Sequence, residues 1–355
     1  MTEQTIRIAI DAMGGDNYPS VLIEGSITAL SLYHDVRITL VGDERIIRES
    51  LNQAVASVIR SKSGDSSKLS LMDRIKIVHA SEIIDMCESP ARSIRVKVDS
   101  SIVIANKLCR SGDVDAVISA GNTGAAMASS LLYMGRLAGV LRPAITALFP
   151  SEKNVVAILD VGANTDCKPE HLYQFGVMAS LYTSHVLGYN NPRVGLLNIG
   201  EEPTKGNELT TSAYRLMEQS DLNFIGNIEG SDIFKGSADV VVCDGFVGNV
   251  ILKFGESIFG FINHSLKDKI YKNIIRKTGA TLLKPVFKEI KREMSPEEYG
   301  GLPLLGVDGV SIICHGNSTP VAIMNAVRVA RQCVLEKVNE KIKSEFVKKN
   351  SVRNE

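Results

Sequence analysis

The chain has 355 residues, 44% of them hydrophobic, and its 40 basic and 40 acidic side chains cancel. That length buries a substantial core as one large α/β domain or two smaller ones, and the neutral total argues against a general nucleic-acid binder while leaving local basic patches to be sought directly. Six cysteines (Cys87, Cys109, Cys167, Cys243, Cys314 and Cys333) lie far apart with no CxxC pair, so neither a zinc site nor a disulfide framework is indicated and a reducing cytoplasm fits. Glu3 and Arg7 around the first short apolar run are too charged for a signal peptide, and no later run is expected to reach the length of a spanning helix. The expectation is a soluble or peripheral protein.

Ile6-Arg-Ile-Ala-Ile-Asp11 reads as a buried first strand that breaks into the tight loop Ala12-Met-Gly-Gly-Asp16, and after Pro19 the spacing of Val21, Leu22, Ile27 and Leu30 is helical. Glycines between a strand end and a helix start let the backbone approach an anion, and unpaired helix amides favour negative charge. The same residues also read as an exposed Gly-Gly turn between solubilising aspartates. Val36 to Asp43 repeats the plan, with a helix from Glu44 to Ile59, and residues 61–70 are small and polar, a surface loop without chemistry. Ile75 to Val78 is a short strand, and Ser89-Pro90 opens one helix running through Ile94, Val98, Ile102 and Ala105. Asp115 to Gly124 then gives a strand, a Gly-Asn-Thr-Gly turn and a helix from Ala125 to Tyr133.

Four more apolar strands follow, at 155–166, 194–207, 223–230 and 238–249, each ending in Gly, Asn, Asp or Glu. Val/Ile/Leu strands alternating with helices predict an α/β fold, a mainly parallel sheet covered on both faces, and in such sheets ligands bind beyond the carboxyl ends of the strands. Asn122, Asn164, Asn198, Asn227 and Asn249 recur at corresponding places, so these ends are expected to converge on one polar cleft. The competing reading is that βα loops carry such residues because they turn and cap well.

From Phe254 the character changes, and Phe259, Phe261, Leu266, Ile270, Ile274 and Ile275 alternate with Lys267, Lys269, Lys272, Arg276 and Lys277. Between Asn263 and Ser295 there are nine Lys or Arg against three Asp or Glu. This segment, about 255–295, reads as a basic amphipathic surface for an anionic membrane or an acidic protein, or as a core helix with a solvated lysine face. Tyr299 to Gly306 leads into the strand Val310 to Cys314 and the turn His315-Gly-Asn-Ser318, and one long helix from about Val321 to Val347 closes the chain.

The motifs Asp11-Ala-Met-Gly-Gly-Asp16, Ser119-Ala-Gly-Asn-Thr-Gly124, Leu159-Asp-Val-Gly-Ala-Asn164, Lys168-Pro-Glu-His171, Val194-Gly-Leu-Leu-Asn198, Lys205-Gly-Asn-Glu208, Asp244-Gly-Phe-Val-Gly-Asn249 and His315-Gly316 occur in this order. Over about Ile6 to Gln332 the chain resembles the bacterial phosphate acyltransferase of phospholipid synthesis, which makes acyl phosphate from acyl-acyl carrier protein and inorganic phosphate. The resemblance implies a single three-layer α/β/α domain over 1–355, related in fold to the isocitrate and isopropylmalate dehydrogenases and to phosphotransacetylase. It also implies a cytoplasmic homodimer at the inner face of the membrane, whose product passes to a membrane glycerol-3-phosphate acyltransferase. Two departures stand out, a Ser-rich 61–70 loop longer than expected and Cys167 where a small inert residue is expected.

Phosphate attacks a thioester directly and a thiolate leaves readily, so the protein has to hold phosphate in line, stabilise the oxyanion and exclude water. On that basis Lys205, Asn249, Asn198 and Lys168 are the catalytic candidates, Lys205 largely through the resemblance, although Lys168 also reads as a surface lysine before a helix. Asp11, Gly14, Gly15, Asp16, Asn122, Thr123, Asn164, Asp244, Gly245 and His315 are assigned to phosphate or substrate. Among these the Gly14-Gly15 backbone holds phosphate with Lys205, the two aspartates shape the loop, Asn164 joins Asn198 and Asn249 as a donor to phosphate or oxyanion, and His315 equally reads as a strand-end cap. Cys167 with His171 as a base is a weaker alternative, since free cysteine usually serves packing. A dehydrogenase would carry Gly-x-Gly-x-x-Gly after a strand, which is missing, so no cofactor is expected. A non-catalytic scaffold for carrier protein and membrane is the other reading left open.

Overall fold

The computed structural model describes residues 5–61 and 71–352; the Ser-rich loop, apart from Ser61, lies outside them. The strands are β1 Ile6–Asp11, β2 Val36–Gly42, β3 Ile75–His79, β4 Ala116–Ser119, β5 Ala144–Pro150, β6 Val155–Leu159, β7 Val194–Leu197, β8 Phe224–Ile228, β9 Val240–Val242, β10 Leu302–Leu305 and β11 Val310–Ile313. They form one sheet in the order β3-β2-β1-β4-β11-β10-β5-β6-β9-β7-β8. Side chains alternate between its faces as strand geometry requires: Ile6, Ile8, Ile10, Val240 and Val242 enter one core, while Ala9, Val117, Ile158 and Val241 enter the other. Helices Ser20–Leu32, Pro169–Val186 and Pro320–Leu335 cover the first face. Ser101–Arg110 and the start of Gly245–Ile270 cover the second. This is the expected three-layer α/β arrangement with a mainly parallel sheet.

The antiparallel part is new. β5 and β10, which the sequence did not mark as strands, clasp the two halves: Leu302 and Pro303 pair with β11, Leu304 and Leu305 pair with β5, and β5 pairs with β6, all antiparallel. Counted along the ladder, β6, β9, β7 and β8 therefore run opposite to β1, β2, β3, β4 and β11.

Three helix boundaries also differ from expectation. The helix begun by Pro90 ends at Val96 and a second runs Ser101–Arg110. Between them the Lys97 ammonium turns back to the Ile83 carbonyl and Glu88, and the Ser100 hydroxyl donates to the Lys97 carbonyl. The closing helix is two, Pro320–Leu335 and Val338–Val352, broken where Lys337 takes φ 52°. Gly245–Ile270 starts inside the Asp244-Gly-Phe-Val-Gly-Asn249 motif, nine residues ahead of the expected change at Phe254, and it is long and apolar enough, by length and composition, to cross a membrane. Its opening turns pack on the body, with Gly248 against the Asp160 carbonyl and Gly255 against the Phe149 ring.

Candidate functional site

At the ends of β1, β4 and β11, three loops meet edge to edge. A Cβ on Gly14 would lie 2.7 Å from the Gly121 amide nitrogen, and Gly15, at φ +97°, lies against the Gly316 carbonyl; only glycine permits both. The Asp16 amide donates to Gly316 at 2.8 Å. Beneath them the Ser119 hydroxyl donates to Asp11 Oδ2 at 2.7 Å and accepts from the Gly121 amide at 3.1 Å. Asp11 is buried, its Oδ1 has no partner among the described residues, and burial pushes its carboxyl above the usual range. It lies behind Gly14 and Gly121, bonded to Ser119. Asn122 is a staple: its amide donates to the Met86 carbonyl at 2.9 Å and its oxygen caps Ala125, while Thr123 opens the helix that follows and is exposed. His315 accepts from the Asn317 amide at 3.1 Å, a local cap at the end of β11.

The second group lies at the ends of β6, β9 and β7. The Asp160 carboxylate accepts from the amides of Ile145, Gly162, Ala163 and Asn164 and from the Asn164 side chain, at 2.7 to 3.2 Å. Burial still leaves its carboxyl above the usual range, against the pull of these donors. Asn164 gives its two amide hydrogens to Pro143 and Asp160, at 2.7 and 2.9 Å. It therefore has no hydrogen left for phosphate or oxyanion, a correction to its expected role. Asp244 caps helix Gly245–Ile270 by accepting from Phe246 and Val247, and the Gly245 amide donates to the Asn164 carbonyl at 2.8 Å. Gly248 is required because a Cβ there would collide with the Asp160 carbonyl. Asn249 follows on the first turn, half-buried, with its amide 3.9 Å from where a Cβ of Gly162 would stand. Among the described residues it has no hydrogen-bond partner.

Lys205 stands at the end of the loop after β7, exposed and without an ion pair among the described residues. Asn198 donates to the Lys205 carbonyl at 3.0 Å and accepts from Ile199, which leaves one amide hydrogen free. Lys168 is exposed at the start of helix Pro169–Val186, where its amide donates to His171 Nδ1 at 3.1 Å. That bond, with burial holding its pKa down, occupies the nitrogen a base would use. The Cys167 thiol, pushed up to about 12 by burial and by Asp160 and Asp244, is no nucleophile at neutral pH.

All four catalytic candidates, Lys205, Asn249, Asn198 and Lys168, thus fall at the carboxyl ends of three adjacent parallel strands, together with Asn164, Asp244 and Gly245. Asp11, Gly14, Gly15, Asp16, Asn122, Thr123 and His315 belong to the other half of the sheet. Asn227, which the sequence grouped with the recurring asparagines but did not place in the site, donates to the Glu202 carbonyl beside Lys205. Among the described residues no group of His, Cys, Asp and Glu is arranged to hold a metal.

In the basic segment, helices Ile274–Leu282 and Lys284–Glu293 follow Gly245–Ile270. Phe261, Ile274, Ile275 and Leu282 are 73 to 80% exposed. Lys267, Lys269, Lys272, Arg276 and Lys277 are exposed beside them, while the side chain of Phe259 lies outside the described residues.

Residues 6–341 match a family model described as fatty acid synthesis protein. A phosphate acyltransferase from Pelotomaculum thermopropionicum is 49% identical over 339 residues, covering 96% of this chain and 94% of the relative. One from Desulfitobacterium hafniense is 48% identical over 342 residues, covering 96% and 98%. Among solved structures, a phosphotransacetylase from Streptococcus pyogenes superposes with a TM-score of 0.59 at 13% identity, covering 94% of each chain. A 4-hydroxythreonine-4-phosphate dehydrogenase from Klebsiella pneumoniae gives 0.51 at 14% identity, covering 93% of this chain and 99% of that one. At such identities the likeness is one of fold.

Proposed function

The chain belongs to the phosphate acyltransferase family and is an acyltransferase, and we propose that it moves a fatty acyl group from acyl-acyl carrier protein to inorganic phosphate. A phosphate oxygen attacks the thioester carbonyl carbon, the tetrahedral oxyanion collapses, the C–S bond breaks, and the carrier thiolate leaves to take up a proton. Acyl phosphate is the product, made without a covalent enzyme intermediate.

The observation that carries this reading is that a cation and a side-chain amide, neither with a side-chain partner among the described residues, follow the carboxyl ends of the adjacent parallel strands β7 and β9. Lys205 supplies a point charge for the phosphate dianion, and Asn249 supplies a donor for the oxyanion. Lys168 adds positive charge at the same edge, and Gly15 offers a backbone amide from the other half of the sheet, the Gly14 amide being committed to the Asp11 carbonyl at 3.3 Å. Cys167 and Cys243, both with thiol pKa values raised by burial, leave direct attack as the simpler route.

The finer parts of the reading are a single catalytic unit with the fold of the isocitrate and isopropylmalate dehydrogenases, working as a cytoplasmic homodimer. Its exposed apolar and basic helices rest peripherally on the anionic inner face of the membrane, receive the acidic carrier protein, or do both. Acyl phosphate then passes to a membrane glycerol-3-phosphate acyltransferase.

Incubation with phosphate and acyl-acyl carrier protein, followed by hydroxylamine, should yield acyl hydroxamate that depends on phosphate and needs no nucleotide. Carrier-protein binding without hydroxamate would favour a scaffold instead, and a product that appears only with nicotinamide cofactor would favour a dehydrogenase.

A further inference from the structure

We infer that Asn227 is a positioning residue for Lys205. This rests on the reading that Lys205 holds the phosphate, and it extends that site to a buried side chain on the neighbouring strand. Asn227 is 5% exposed in β8, and its Nδ2 donates to the Glu202 carbonyl at 2.8 Å. The same carbonyl accepts the Lys205 amide at 3.0 Å. One oxygen thus ties Asn227 to the backbone of Lys205.

The rest of the loop is built toward the same end. Asn198 donates to the Lys205 carbonyl at 3.0 Å, and its own amide is anchored to Ile228 at 2.8 Å, one residue beyond Asn227. The Lys205 stem lies over Gly200, with Cγ 3.1 Å from where a Cβ there would stand. Gly206, at φ +98°, packs on Asn198 and Thr210. Residues 199–207 are otherwise almost wholly at the surface, where a lysine on an untied loop would sample many positions. Two asparagines from adjacent strands fix both ends of its turn.

Packing alone does not account for Asn227. Its Oδ1 is buried with no partner among the described residues, a state that destabilises the fold relative to an apolar residue of similar shape. What the amide provides in return is the bond to Glu202.

The test is a steady-state comparison of Asn227→Leu, Asn227→Asp and Lys205→Met with the unaltered protein, with melting temperature recorded for each. Asn227→Leu should raise the KM for phosphate about tenfold while the KM for the acyl donor stays within about twofold, because only the phosphate ligand is displaced. Asn227→Asp, of the same size, lacks the donor when ionised and regains one when protonated. Its phosphate KM relative to the unaltered protein at each pH should therefore recover as pH falls, and that of Asn227→Leu should not. If Asn227→Leu does not fold, this pH profile alone decides.

A lowered melting temperature with an unchanged phosphate KM in both Asn227 variants, alongside a raised one in Lys205→Met, would show a merely structural residue and overturn the inference. An unchanged phosphate KM in Lys205→Met would remove the reading beneath it and overturn both.

Discussion

Asn164 commits both amide hydrogens inside the protein, to Pro143 and Asp160, whereas Asn249 commits neither. In the sequence the two look equivalent, each closing a Gly-containing run after a strand, because the partner that separates them, the Pro143 carbonyl, lies 21 residues away along the chain. The same holds for Asn122, whose partners come from the 85–88 turn. Residue type and spacing announce a polar strand end; which amide is free depends on tertiary partners. The difference is measurable. Asn249→Ala should lower kcat by about 10² to 10³, the usual cost of losing an oxyanion donor, with the melting temperature nearly unchanged. Asn164→Ala should lower the melting temperature because Asp160 loses a donor, and Cys167→Ala should keep kcat within about twofold. A loss below about fivefold in Asn249→Ala takes Asn249 out of the reaction.

Among the elements, the strands with continuous Val, Ile and Leu were readable and the helix edges were not. Gly245 and Gly248 argue against a helix on propensity, yet the helix starts there because Asp244 caps it and Gly248 fits against Asp160. Apolar periodicity past Ala105 said nothing of the break at 97–100, which is set by Lys97 reaching Ile83 and Glu88; this ion pair, with Ser93, holds Glu88 down to about 2. The three helices between Gly245 and Glu293 bear on the membrane reading. Gly248 and Gly255 seat the first of them on the body, while Ile274, Ile275 and Leu282 are more than three-quarters exposed and basic side chains flank them. An apolar strip beside clustered lysines binds anionic bilayers through both terms, with roughly 1 kcal/mol from each basic residue near the surface. Reversing Lys267, Lys269, Lys272 and Lys277 to Glu should abolish flotation with liposomes containing anionic lipid, and a raised KM for the carrier-protein substrate would show that the same strip also receives the carrier. Unchanged flotation would assign the strip to a protein partner.

At the scale of the molecule, the sequence implied a mainly parallel sheet but not its reversal, since β5 and β10 meet across more than 150 residues and each contains a proline, Pro150 and Pro303, rather than a marked alternation. The reversal sets the catalytic candidates and the glycine loops of β1 and β4 on opposite edges of the ladder. Twist acts against that separation. Seven steps part β1 from β7, and at an average of about 20° each the accumulated rotation is on the order of 140°. Added to the antiparallel flip, this brings the two strand directions back to within roughly 40° of each other. On that average the two sets of carboxyl ends point toward the same side of the sheet. Hydrogen exchange with and without saturating phosphate tests this directly. If both edges line one cleft, amides in 12–16 and in 199–206 should both exchange more slowly with phosphate bound, and the first of these effects should disappear in Lys205→Met, which no longer holds the anion between them. Protection confined to 199–206 would leave the Gly14-Gly15 loop outside the phosphate site, with Asp11 and Ser119 holding it for another part of the substrate.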